Sequence, residues 1–426
     1  MPKFCWESTF QNSIIGKIPK DWMIRKLDDI SEISSGGTPS RKVKEYWDGT
    51  INWLKSQEVR RAFVYDTEEK ISVLGMNRSS ARKIYPPDTV VLALYGATAG
   101  EVALLKTSST INQAIAALEG RIRECNNHFL FYSLMQNKER LLLETTGAAQ
   151  QNLYLKMVKE FTIPLPSYEE QCRVASVLSW FDDLIENKKR QNEVLEKTAM
   201  AIFKSWFMDF EPFKDEEFVD SPLGKIPKGW YVGTLKEVSQ DIVGGSTPLK
   251  RERKYWDNAV IPWLTNKEVD YGRINFVFDT KEKVSKFALE ETNLKLLPED
   301  CLIISFTASV GKVAINKVPI TTNQQFISFI PKANFYLYYT ALYFALSKEL
   351  IESYSGATPF DYITMERALQ IPLLIPPTSV LQEFNQLVSP LFLKIALNQK
   401  AILVLQKARD ALLPLLIFGR LRVEEI

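Results

Sequence analysis

Histidine is almost missing from this 426-residue sequence: His128 is the one example. A single imidazole excludes most histidine-ligated metal centres, a histidine triad in each domain and histidine-based pH switching. The four cysteines, Cys5, Cys125, Cys172 and Cys301, are scattered without a CxxC pair. They read as reduced thiols, neither a disulfide framework nor a zinc site. Charge of one sign is not in excess, since 53 basic side chains face 51 acidic ones. The chain is therefore no polybasic coat, and any polyanion-binding surface must be local. Long apolar runs are also lacking. Phe335–Leu346 and Ala411–Phe418 are short and interrupted by Tyr, Thr or Pro, so no membrane span is expected. The first ten residues, MPKFCWESTF, lack the apolar core of a signal peptide, which points to the cytoplasm.

What is present is a repeat. FQNSIIGKIPKDW (10–22) returns as FVDSPLGKIPKGW (218–230), with eight of 13 positions identical at an offset of 208. Ser35-Gly36-Gly37-Thr38-Pro39 answers Gly244-Gly245-Ser246-Thr247-Pro248. Tyr46-Trp47, Trp53-Leu54 and Glu58-Val59 answer Tyr255-Trp256, Trp263-Leu264 and Glu268-Val269. Asn112-Gln113, Gly147-Ala148 and Ile163-Pro164 return as Asn323-Gln324, Gly356-Ala357 and Ile371-Pro372. A period of about 200 residues is far too long for a solenoid and marks a duplicated unit with pseudo-two-fold character.

Each copy begins with a mixed α+β part. Thr89–Tyr95 and Cys301–Phe306 read as buried strands, with hairpin-like continuations at Glu101–Leu105 and Lys312–Ile315. Helices follow near Phe129–Leu143 and Phe335–Ile351, and their aromatic and leucine stripes read as core. Each copy then ends in a long helix. Glu169 to about Phe207 holds neither Gly nor Pro, which gives a rod of about 58 Å. Val174, Leu178, Phe181, Ile185, Leu195, Ala199, Ile202 and Trp206 form its stripe, broken by Lys188 and Asn192. Val388, Leu391, Ile395, Asn398, Ile402, Leu405 and Leu412 form the second, also polar near its middle. This spacing predicts an antiparallel coiled coil in which the polar middles meet and fix register; the competing reading packs each helix on its own domain. The expected domains are 1–166, a spacer helix over 167–212, 213–376 and a second spacer helix over 377–426. Two similar modules on a rigid rod suit a ligand of two spaced half-sites, as on B-DNA.

The series SGGTPS…YWDG…INWL…E, an Asn-Gln pair and TGAAQQNL…IPLP…EEQ, repeated in order, resembles the specificity subunits of type I restriction-modification enzymes. FKSWFMDFEPF (203–213) and LLPLLIFGRLRV (412–423) fit the same resemblance. It covers nearly the whole chain. It implies two target recognition domains of α+β fold, similar to the DNA-reading domain of adenine methyltransferases, each reading half of a bipartite site. It also implies double-stranded DNA, two methyltransferase subunits and motor-nuclease subunits as partners. No cofactor is expected on this chain; S-adenosylmethionine, ATP and Mg would sit on those partners. Thr358-Pro359-Phe360-Asp361 stands where the first copy has Ala149-Gln150-Gln151-Asn152, so an asymmetric target is expected.

Candidate DNA contacts follow from residue type. Thr38, Ser40, Arg41, Lys42 and Lys44 beside the first Gly-Gly-Thr-Pro turn, and Thr247, Lys250, Arg251 and Arg253 beside the second, suit phosphates. Lys55 and Gln57, and Asn266 and Lys267, are base-edge readers that differ between copies. Tyr95 and Thr98, and Thr307 and Ser309, lie on a tight turn that is either a DNA contact or only a hairpin. Gln150, Gln151 and Thr358 are further loop candidates. The unchanged Asn-Gln pairs read as structural or backbone-contacting, because shared residues cannot explain different specificities.

Catalysis in the chain itself is not expected. Pro86-Pro87-Asp88 has the wrong order for an adenine-methyltransferase motif, and Gly311-Lys312-Val313 lacks most of a P-loop. The acids Asp88, Glu101 and Asp300 do not complete a nuclease cluster. The remaining alternatives are a stand-alone DNA-binding or scaffold protein without restriction partners, and an enzyme.

Overall fold

The computed structural model describes residues 2–60, 63–143, 152–307, 310–347, 351 and 363–425. The chain divides into two compact units. Unit 1 is Met1–Ile185 with Val404–Ile426, and unit 2 is Glu186–Leu403.

The sheets of the two units repeat strand for strand. Unit 1 orders its five strands as Ser31–Ser35, Ile115–Gly120, Val90–Ala93, Val102–Leu105 and Phe63–Val64. Unit 2 orders Ser239–Gly244, Phe326–Pro331, Leu302–Ser305, Val313–Asn316 and Ile274–Val277. In each, only the last pairing is parallel. A three-stranded sheet accompanies each, built on Trp47–Leu54 or Ile261–Leu264. The continuous apolar central strands follow from burial on both faces. Val90, Leu92, Leu104 and Leu118 pack with Phe129 and Phe131 of the helix Asn127–Gln136. The alternate residues Val91, Ala93, Ala103 and Leu105 pack with Leu54, Tyr85 and Ile111 on the other side. The aromatic helix Asn334–Leu346 has the same role in unit 2, with Leu337, Tyr339 and Phe344 buried in its core. These helices are core elements, as their stripes suggest.

The long helices run Tyr168–Phe207 and Thr378–Ile417, 40 residues and so about 60 Å each. They pair antiparallel in both units. In unit 1 Asp182 meets Arg409; in unit 2 Asn192 meets Asn398, and Phe207 meets Phe384 at 4.8 Å between ring centroids. Asn398 donates to the Asn192 carbonyl oxygen at 2.9 Å and to Gln191 at 3.3 Å, and Lys188 reaches Asn398 at 3.5 Å. The polar middles therefore do meet, and the helices are not confined to their own copies. Thr378–Ile417 is also long and apolar enough by length and composition to cross a membrane, which the short uninterrupted runs had concealed. Its seam is buried, but Leu387, Leu393, Leu397 and Leu403 are exposed on its outer side in unit 2.

Two features have no sequence signal. Lys3–Trp6 pairs antiparallel with Leu421–Glu425, so the two ends of the chain share a ribbon in unit 1. Arg422 on that ribbon reaches Glu7, Asp21 and Glu170. Two of the three acids considered for a nuclease are turn or bend residues. Asp88 and Asp300 both hold positive φ (66° and 60°) and pair with Lys106 and Lys317.

Candidate nucleic-acid interface

In unit 1 four loops converge on one edge of the sheets. The Thr38 hydroxyl donates to the Gln113 side-chain oxygen, and the Thr98 hydroxyl donates to the Ser56 carbonyl at 2.9 Å. The Asn112 amide donates to the Leu54 carbonyl at 2.9 Å, and Tyr95 reaches the Gln113 carbonyl at 3.5 Å. Unit 2 repeats the set: Thr247 donates to Gln324, Asn323 N–H to Leu264 at 3.0 Å, and Asn266 to the Thr307 carbonyl at 3.4 Å. The unchanged Asn side chains hold turns, Asn112 accepting from Ala114 N–H and Asn323 from Gln325 N–H.

The basic loop of each unit is folded onto two tryptophans. Trp47 and Trp53 meet edge-to-face at 5.0 Å, and Trp256 and Trp263 at 5.2 Å. Their indole N–H groups donate to Ser40 and Gly37, and to Leu249 and Ser246. The Arg41 guanidinium lies 3.7 Å from the centre of the Trp47 ring, and the Lys250 ammonium 3.6 Å from that of Trp256. A cation held on an aromatic face in this way is pre-positioned. Each is also ion-paired, Arg41 with Glu69 and Lys250 with Glu282. Hydrogen bonding from Arg41, with Lys55 beside it and burial opposing, holds the Glu69 carboxyl down at about 2.

This geometry sorts the expected contacts. Lys42, Lys44, Gln57, Arg253 and Lys267 are exposed and have no ion pair among the described residues. Ser40 and Arg251 are exposed too, with Arg251 at 3.8 Å from Glu252. Lys55 is engaged by Glu68 at 2.9 Å and Glu69 at 3.2 Å. Asn266 departs from expectation and Thr98 takes the hairpin alternative: both are buried and spend their side chains on loop-to-loop bonds, Thr98 on the turn between two antiparallel strands. Thr307 is half-buried, and its carbonyl receives the Asn266 bond. Gln150, Gln151, Ser309 and Thr358 lie outside the described residues.

Glu58 and Glu268 carry a role that residue type alone did not reveal. Glu58 accepts from the backbone N–H of Lys55 (3.1 Å) and of Glu68 (2.9 Å). Glu268 accepts from Thr265 (3.3 Å) and Lys281 (2.7 Å). Each carboxylate ties its own loop to the segment leading into the next strand, and its recurrence before Val59 and Val269 was the available signal. The edge is thus a rigid frame common to both units, carrying Lys55-Ser56-Gln57 in one and Thr265-Asn266-Lys267 in the other.

Comparison with known proteins agrees with this doubled frame. The family described as type I restriction modification DNA specificity domain matches twice, over residues 19–197 and 227–407. The MjaIX specificity subunit of a type I restriction enzyme from Methanocaldococcus jannaschii is 40% identical over 443 residues, covering 100% of this chain and 99% of that protein. The MjaVIII specificity subunit from the same organism is 25% identical, covering 100% and 98%. The fold matches the crystal structure of a type I restriction-modification S subunit from M. genitalium with a TM-score of 0.58 at 19% identity, covering 96% of this chain and 99% of that one. With the family matched in both copies and the resemblance to a relative running the full length, the chain belongs to the specificity subunits of type I restriction-modification systems.

Proposed function

We propose that this chain is the non-catalytic DNA-recognition subunit of a type I restriction-modification complex. Each unit reads one half of a bipartite, asymmetric site in double-stranded DNA. The observation that carries this reading is the interface edge itself, with one frame built twice and different side chains mounted on it. Phosphate contacts through the basic loops position each unit, and base-edge contacts specify the sequence. The long helices, about 60 Å each, act as the spacer. The outward leucines at 387, 393, 397 and 403 form an apolar surface of the kind that marks protein docking, which suits methyltransferase subunits, two per chain, with motor-nuclease subunits joining them. S-adenosylmethionine, ATP and Mg belong to those partners, and the assembly works in the cytoplasm.

The test is to co-express the chain with a type I methyltransferase subunit from its own genome and map methylated adenines across the genome. A single gapped, asymmetric motif is expected. Exchange of residues 17–166 for the corresponding domain of another family member should change one half of that motif and leave the other. A stable complex that produces no motif would contradict sequence reading by this chain, and absence of both complex and motif would favour a scaffold.

A further inference from the structure

The two copies agree most in a pair of hairpins, Phe10–Ser13 with Gly16–Pro19 and Phe218–Ser221 with Gly224–Pro227. Most of the identical residues have work inside their own unit. Ser13 and Ser221 each donate to the carbonyl of the turn glycine at 2.6 Å. Gly16 and Gly224 hold φ near +100° (104° and 96°), which a side chain would strain. Ile18, Ile226, Trp22 and Trp230 are buried, as are the prolines between them. The matched Phe10 and Phe218 are half-buried. Lys228 pairs with Glu217 at 2.6 Å. Lys17 and Lys225 have no such work: both are exposed, and neither has an ion pair or side-chain hydrogen bond among the described residues.

A residue kept identical in two domains that read different sequences must serve the fold or meet something common to both half-sites. Among the described residues the fold makes no use of these two ammonium groups. The sugar-phosphate backbone is the part of a duplex that does not change with sequence, and lysine suits it as a flexible point charge. No internal ion pair has to break to release Lys17 or Lys225, unlike Arg41 and Lys250, whose charge is shared with Glu69 and Glu282. We propose that Lys17 and Lys225 are backbone-phosphate contacts, one in each half-site, that hold each unit on the duplex without contributing to sequence choice. The proposal rests on the recognition function above.

The test uses the complex of the full chain with its co-expressed methyltransferase, bound to a labelled duplex carrying the mapped motif and to one with the motif scrambled. Affinity is measured by fluorescence anisotropy from 50 to 200 mM salt. Each of Lys17→Gln and Lys225→Gln should lower the slope of log affinity against log salt by about 0.9, and the double variant by about 1.8. The wild-type advantage over the double variant should accordingly shrink about twelvefold across that range. The loss should be equal on both duplexes, the methylated motif unchanged and the subunits still assembled on gel filtration. Lys17→Arg with Lys225→Arg should keep the wild-type slope, which separates charge from misfolding. An unchanged slope, a loss confined to one sequence, or dissociation of the methyltransferase would each overturn the proposal. A wild-type complex that binds neither duplex would instead refute the recognition function.

Discussion

The helix seam is built from different chemistry in the two units. Counting from the strands Thr162–Leu165 and Pro372–Ile375, Asp182 matches Phe392 and Ala199 matches Arg409. In unit 1 Asp182 is 2% exposed, accepts from the Tyr132 hydroxyl at 2.6 Å and pairs with Arg409. In unit 2 Tyr338 stacks on Phe392 at 4.7 Å and 12°, and farther along the seam Phe203, Phe207 and Phe384 pack on one another. The same architecture is thus closed once by a buried ion pair and once by aromatic rings. The rings gain from area burial and ring packing without desolvating a charge. The ion pair must recover the desolvation of two charges, so it adds little net stability but penalises any arrangement that separates its members.

This contrast can be broken first at Arg409. Arg409→Ala leaves the Asp182 carboxylate buried without its partner, at a cost of about 3–5 kcal/mol, visible as early loss of unit 1 in thermal unfolding. Replacing the whole network with apolar residues, as Tyr132→Phe, Asp182→Leu and Arg409→Met together, should be neutral or stabilising by about 1–4 kcal/mol. A triple variant as weak as the single one would show that the network itself stabilises the unit. The next effect is at the polar middle of unit 2. Asn398→Ala strands the buried Asn192 side chain and should cost about 1–3 kcal/mol. Asn398→Leu should retain helix content by circular dichroism yet permit alternative helix registers, detected by loss of unique disulfide trapping between engineered cysteines.

A smaller effect depends on pH. Burial raises the Glu196 carboxyl in unit 2 from 4.5 to about 7, with Arg273 opposing and Glu193 reinforcing. Below pH 4.5 the group is protonated whether the unit is folded or not. As pH rises from 4.5 to 7 the unfolded chain releases its proton first, so stability falls through that window and levels above it. Glu196→Gln should flatten the slope in denaturant titrations between pH 4.5 and 7. Glu69, held at about 2, acts in the opposite sense and below that window, its contribution being lost as pH falls from 4.5 towards 2. The smallest effect is at that exposed pair: Glu69→Gln should change stability by less than about 1 kcal/mol, while freeing Arg41 and strengthening non-specific DNA binding in gel shifts. Weaker binding would mean that Glu69 orders the basic loop for contact.

Local pattern carried much of this fold. The uninterrupted stretch from Glu169 marked a helix that begins at Tyr168 and ends at Phe207, because the absence of Gly and Pro and a sustained stripe act within a few turns. The apolar runs at 89–95 and 301–306 likewise became Val90–Ala93 and Leu302–Ser305. The polar residues at 188, 192 and 398 were legible as a meeting point because antiparallel symmetry places the two middles together. The candidate site was legible by region and much less by residue. Nothing local in Arg41 announces Glu69, nor in Lys55 the two glutamates 13 and 14 positions on, since those pairs form only when the strands at 47–54 and 69–71 align. Asn266 has the composition of a reader and became an internal fastener for the same reason. Residue type limits what a side chain can do, and tertiary pairing decides which part of that capacity is left for a ligand.

The paired chain ends also bear on the order of synthesis. Unit 2 is one continuous stretch, whereas unit 1 needs Val404–Ile426 for its helix seam and for the strand beside Lys3–Trp6. On the ribosome the first 185 residues are therefore made long before the segment that closes their seam, and their apolar edge stays uncovered until Val404–Ile426 emerges. The unit made first is finished last, and that interval is when the nascent protein most needs shielding from aggregation.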